Sequence, residues 1–178
     1  MKTVRRNWRL SSSSDPAALA VVDGLGRFTP HGPHYSRRTP GSKTFTGVGQ
    51  EIVLVTNCGR AVWACVRQKT PAKKGSGSSR GQGGVPDTSP EFVWRNMIFR
   101  NLGAGLSSAL IREALSRTYL EWFTRYKRVP DERLRTEIDV KQINSTNPGY
   151  CYLMAGWERG PLKRGKLHLY APLRGFIR

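Results

Sequence analysis

The segment EFVWRNMIFR, residues 91–100, restricts the possible folds more than any other. Phe92, Trp94 and Ile98 are interleaved with Val93, Met97 and Phe99, so large apolar side chains leave one extended chain in both directions. Only a strand covered on each face buries both sets, and such strands belong to layered structures of helix and sheet. Arg95 and Asn96 interrupt both faces at mid-strand.

The neighbouring segments supply the layers. EIVLVTNCGRAVWACVRQ, 51–68, reads as two strands around a turn at Asn57–Arg60, with β-branched and aromatic residues on both sides. Leu106, Leu110, Ile111, Ala114, Leu115, Thr118 and Trp122 recur at spacings of three and four, which predicts a helix from about Leu106 to Tyr126. VPDE breaks it. RLRTEIDV, 133–140, alternates again and reads as a strand. NPGYCYLMAGW, 147–157, is a turn and a short helix ending at Gly156, and WERGPLKRGKLHLYAP closes as a hairpin near Arg164–Gly165. Strands, helix, strand, short helix and strands make a mixed α/β or α+β domain.

At 178 residues, 38% of them apolar, the chain has material for a single domain, 1–178, with its own core. Residues 1–20 read as loosely structured. The Gly, Pro, Ser and Thr of 26–49 predict a long loop, which carries His31, His34, Tyr35 and adjacent arginines. Residues 69–90 are Gly/Ser-rich and basic, and read as a mobile loop: either a plain linker or an arm that clamps phosphates.

Charge narrows the partners. Thirty Lys and Arg against twelve Asp and Glu leave +18, and each of the regions 1–50, 51–91, 92–145 and 146–178 carries more bases than acids. A field spread this widely attracts polyanions, nucleic acid above all; binding to acidic membranes and solubility alone are the bland alternatives. A basic amphipathic helix with an apolar face, as membrane binding requires, is not readable, and no apolar run approaches the roughly 18 residues of a span. Cys58, Cys65 and Cys151 are odd in number and lack CxxC spacing, which disfavours a disulfide framework or zinc ribbon and fits a reducing cytoplasm. No secretory signal is readable at the start.

The corner between strand and helix carries the chemistry. Arg100-Asn101-Leu102-Gly103-Ala104-Gly105 is an RxxGxG sequence placed where a helix begins. The first turn of a helix offers unpaired N–H groups at the positive end of its dipole, and glycines let a phosphate approach them. The bland reading is a tight turn. Ser107 and Ser108 follow, as caps or as contacts to a bound group.

RxxGxG between a strand and a helix, then a strand, then CYLMAGW resembles the GNAT superfamily of N-acetyltransferases. The resemblance covers roughly 51–171. It implies a mostly antiparallel central sheet flanked by helices, with splayed central strands. It also implies a pyrophosphate cradle at Arg100, Asn101, Leu102, Gly103, Ala104, Gly105 and Ser107 for acetyl-CoA or a related donor. Tyr152 lies four residues before Gly156, as in that superfamily, and Trp157 replaces the usual Phe.

HYS at 34–36, WRNMIFRNLGAGLSSALI at 94–111, LRTEID at 134–139 and NPGYCYLMAGW look like the Mom-type branch, phage-encoded proteins that modify adenine in DNA against host restriction. That resemblance implies site residues at His34, Arg95, Ser108 and Tyr150 or Tyr152, double-stranded DNA as the partner, a carbamoylmethyl-type product at the adenine N6 amine, and a place in the host cytoplasm. The long insertion at 69–90 departs from the branch's pattern.

Each residue has a plainer alternative. A mid-strand Arg95 needs a partner, and Glu137 or Asp139 on the next strand would serve. His34 is a surface group or a general base, and His168 is structural. His31 and His34 are three apart, which makes metal ligation conceivable, but no metal is expected. Tyr152 either donates a proton to a leaving thiolate or packs, and Tyr150 follows the turn and would stack on a base. Cys151 lacks an activating base and reads as core. Arg37, Arg38, Lys73, Lys74, Arg80, Lys163 and Arg164 are expected phosphate contacts. Two other functions fit the same residues: an acetyl-CoA-dependent N-acetyltransferase acting on a protein, tRNA or small amine, and a non-catalytic basic protein that coats nucleic acid.

Overall fold

The computed structural model describes residues 7–24, 42–69, 92–127, 129, 132–143 and 146–172. One seven-stranded sheet runs through them in the order β1-β2-β3-β4-β5-β7-β6. Its strands are β1 (Trp8–Ser11), β2 (Gln50–Thr56), β3 (Ala61–Lys69), β4 (Phe92–Asn101), β5 (Arg135–Asp139), β6 (Glu158–Lys163) and β7 (Lys166–Tyr170). All neighbours are antiparallel except β4 and β5. The helices are α1 (Pro16–Asp23), α2 (Ser107–Tyr126) and α3 (Tyr150–Met154). The expected mixed fold with a mostly antiparallel sheet is the observed one.

β4 is the covered strand its composition predicts. One layer of core joins Trp63, Trp94, Leu110, Ile111, Leu115, Trp122 and Leu169 on the α2 side. The other joins Val53, Val55, Val62 and Ile98 to Val21 and Val22 of α1. Burying each large aliphatic side chain contributes about 2 kcal/mol, so both layers hold β4 in the middle. No described helix is long and apolar enough to cross a membrane.

The reading of residues 1–20 as loosely structured is corrected in part: 1–6 lie outside the described residues, and the rest carry regular structure. Trp8–Ser11 forms the edge strand β1, and Trp8 Nε1 donates to the Leu110 carbonyl at 3.1 Å. Asp15 caps α1 by accepting from the Ala17 amide at 2.8 Å, Pro16 occupies the first turn, and Gly24 ends the helix at φ 68°. The serine run suggests a loop, yet the Asp-Pro start and Gly stop around it are ordinary helix signals.

Candidate active site

β4 and β5 pair at a single register, Arg95 with Arg135, and then diverge. Two features of β4 permit this. The register against β3 shifts between Ala64–Ile98 and Cys65–Asn96, so Met97 is the extra residue of a β-bulge. A bulge bends its strand and increases its twist. Asn96 then secures the irregularity: its Nδ2 donates to the carbonyls of Ala64 (3.0 Å) and Ile98 (3.1 Å).

The divergence leaves a cavity of about 350 Å³. Met97 and Phe99 of β4 form one wall, Thr136 and Ile138 of β5 the other, and the segment 147–152 with Ile143 the rim. Met97 packs toward the α1-side core, while Phe99, Ile138, Ile143, Cys151 and Tyr152 pack with the α2-side core, so the cavity lies between the strands and mainly on the α2 side of the sheet. It lies toward the carboxyl ends of two adjacent parallel strands, where open sheets bind their ligands.

α3 closes the cavity because Gly149 can begin it. Gly149 has φ 82°, and a Cβ there would stand 2.9 Å from both Ile138 Cδ1 and Leu169 Cδ1. The turn points the next residues at the opening. Tyr152 is 6% exposed, packs edge-on against Phe99 and Trp157, and donates to Asn96 Oδ1 at 2.6 Å. Tyr150 is 54% exposed on the rim. Cys151 lines the cavity, and burial raises its thiol pKa above the usual value.

The glycine loop leaves the end of β4 as expected, but its side chains act differently from the expected cradle. Arg100 is buried and donates to the Val22 carbonyl of α1 at 3.1 Å, so its charge lies on the α1 side of the sheet. Burial lowers its pKa, and Asp23 opposes that. Asn101 folds across the loop, donating to the Gly105 carbonyl (2.7 Å) and Ser107 Oγ (2.9 Å) and accepting from the Ala104 amide (2.8 Å). Leu102 packs beside α1. Arg100, Asn101, Leu102 and the Ala104 amide are therefore committed within the protein. Gly103 (φ 86°) and Gly105 (φ 139°) border open space, and Leu106 starts α2 without a capping side chain. What remains open is a smaller set of main-chain groups at these two glycines and the first turn of α2.

The other expected residues divide. Ser108 is buried in the first turn of α2 and is not on the cavity wall. Arg95 lies outside the wall too, with Nη1 3.7 Å from Glu137 Oε1, the ion pair its mid-strand position suggests. Lys163 and Arg164 are exposed at the β6–β7 turn, where Arg164 (φ 51°) and Gly165 (φ 74°) make a two-residue reversal. His31, His34, Arg37, Arg38, Lys73, Lys74 and Arg80 lie outside the described residues. Among the described residues the wall holds no His, Asp or Glu, and no three potential metal ligands gather. Asn96, which the sequence marks only as a polar interruption of an apolar strand, is the residue that ties the bulge to α3. Comparison with known protein families, characterised proteins and solved structures finds no match for this chain.

Proposed function

We propose that the protein is a DNA-modifying transferase that carries a small acyl-derived group to the N6 amine of adenine, with the β4–β5 wedge as its active site. One observation carries the reading: adjacent parallel strands separate after one pairing and leave a mostly apolar slot between them. The open glycines at the end of β4 and the net charge of +18 support it.

Acetyl-CoA or a related donor would supply an activated acyl carbon. Gly103, Gly105 and the first-turn amides of Ser107 and Ser108 would receive its phosphates. Met97, Phe99, Thr136, Ile138 and Cys151 would enclose its acyl end and exclude water. The adenine amine is a weak nucleophile and is paired in a duplex. The base must leave the stack, and positioning must supply much of the rate. Tyr150, exposed on the rim, is the residue placed to stack on it. Tyr152 shapes the wall, and its proton is directed at Asn96. His34 is the proposed base, acting on the amine or through water. With a thioester donor the amine would bond to the acyl carbon while the C–S bond breaks and the thiol leaves with the proton. The expected carbamoylmethyl-type adduct, joined through CH2, would instead require a related donor that carries an activated CH2–CONH2 group together with its leaving group.

The test is nucleoside mass spectrometry on DNA from cells expressing the protein. A heavier deoxyadenosine supports the reading. Unmodified adenine together with acetyl-CoA turnover favours acetylation of another amine, and neither activity leaves a nucleic-acid coat.

A further inference from the structure

We infer that Arg95 and Arg135, side by side at the vertex of the wedge, form a binding site for a backbone phosphate of DNA. This rests on the reading of the wedge as a site of DNA chemistry.

Both arginines approach the same oxygen, Glu137 Oε1, at 3.7 and 3.8 Å, and Lys166 Nζ lies 3.9 Å from Oε2. These distances are too long for hydrogen bonds. Three cations around one carboxylate leave an excess of two positive charges. The Nε atoms of Arg95 and Arg135 are buried and have no hydrogen-bond partner. Burial lowers the pKa of Arg135, and the charge of Arg95 lowers it further. The buried Nε atoms are out of a ligand's reach, but guanidinium groups held 3.7 and 3.8 Å from their carboxylate keep terminal Nη donors for a further acceptor.

Two planar forks with spare donors suit a phosphate, which takes parallel N–H bonds from arginine. The surroundings continue the positive charge. Lys166 starts β7, and the exposed Lys163 and Arg164 stand at the turn before it. Gly165 of that turn accepts from the Val140 amide at 3.3 Å, which fixes the basic turn against the end of β5, beside the wedge. A strand of nucleic acid crossing from the turn to the Arg95–Arg135 pair would run over β5 along one side of the wedge.

The experiment measures binding of a fluorescein-labelled DNA duplex across a salt series, for the whole protein and for Arg135→Gln, Arg135→Lys and Glu137→Gln. Arg135→Gln is expected to weaken binding about tenfold and reduce the slope of log K against log salt by about one. Arg135→Lys keeps the slope and loses part of the affinity, because an ammonium group offers no fork. Glu137→Gln tightens binding by removing the competing carboxylate, and does so more than Glu113→Gln on α2. Wild-type affinity and slope in Arg135→Gln overturn the site, as does a wild-type protein that leaves the duplex free. If Arg135→Gln unfolds, Glu137→Gln decides: unchanged or weaker binding overturns the proposal. The modification reading fails separately, by absence of heavier deoxyadenosine while the slope still changes.

Discussion

Tyr152 donates a 2.6 Å hydrogen bond to Asn96 Oδ1, tying the short helix α3 to the bulge of β4. The link spans 56 residues of sequence and joins the strand on one side of the wedge to the short helix at its rim. Its strength follows from its completeness. Asn96 is 3% exposed, and both ends of its amide are bonded. Tyr152→Phe leaves a buried acceptor unpaired and should cost about 1–2 kcal/mol; Asn96→Ala also frees two strand carbonyls and should cost about 2–4 kcal/mol. In urea denaturation the double variant should lose about 1 kcal/mol less than the sum. Strict additivity would mean the bond does not couple the elements.

Gly149 is required by shape and by conformation together. Gly149→Ala places a methyl 2.9 Å from Ile138 and Leu169 at φ 82° and should cost about 2–4 kcal/mol. Gly59→Ala is the control: φ is 65° but nothing stands within 4 Å of the added atom, so about 1 kcal/mol is expected. Equal urea midpoints for the two variants would contradict the packing account.

Much of the fold was legible because each element carried one consistent signal. β4 carried large apolar residues for both faces on either side of Arg95 and Asn96, and α2 kept a helical period over five turns. The described part of the N-terminal region was misread because four consecutive serines suggested a loop, while the edge strand depends on pairing with β2 and the local helix signals at Asp15, Pro16 and Gly24 were passed over. The site was less legible. Arg100 and Asn101 have the residue types a phosphate cradle uses, but only tertiary structure reveals that α1 takes one and the loop's own main chain the other. The bulge at Met97 left no mark in the sequence, since it is set by the register against β3.

The three thiols should react in a fixed order. Partial burial raises the Cys58 pKa, but contact with Thr56 and the Arg60 amide outweighs it and leaves the thiol below its usual value. Cys58 is exposed, Cys151 half-buried and Cys65 fully buried, with burial raising the last two. Iodoacetamide should modify Cys58 first, Cys151 slowly and Cys65 only on unfolding, as read by peptide mass spectrometry. The rate at Cys151 should still be climbing above pH 9.0, the ordinary thiol value. Early labelling of Cys65 would contradict the burial.

Asp15 makes the α1 cap pH-dependent. The hydrogen bond from Ser11 lowers its pKa below 3.8; burial opposes this, and Ala17 and Arg9 add to it. A depressed carboxyl pKa stabilises the fold fully above the unfolded value and loses that contribution as pH falls through the folded value. Asp15→Ala should cost about 1 kcal/mol at neutral pH. The gap in urea midpoint between wild type and variant should close on acidification below pH 3.8. A gap that holds constant into acid would show that the carboxylate is not the stabilising form.

The wedge is the claim on which the chemistry depends, and filling it is the direct test. Thr136 faces the cavity from β5, and Thr136→Phe would occupy the slot without touching the basic surface. DNA from cells making equal amounts of folded wild type and variant is digested, and deoxyadenosine is weighed by mass spectrometry. The account predicts a heavier nucleoside with the wild type and ordinary deoxyadenosine with Thr136→Phe. Equal adduct from both proteins, or none from the wild type, would contradict it.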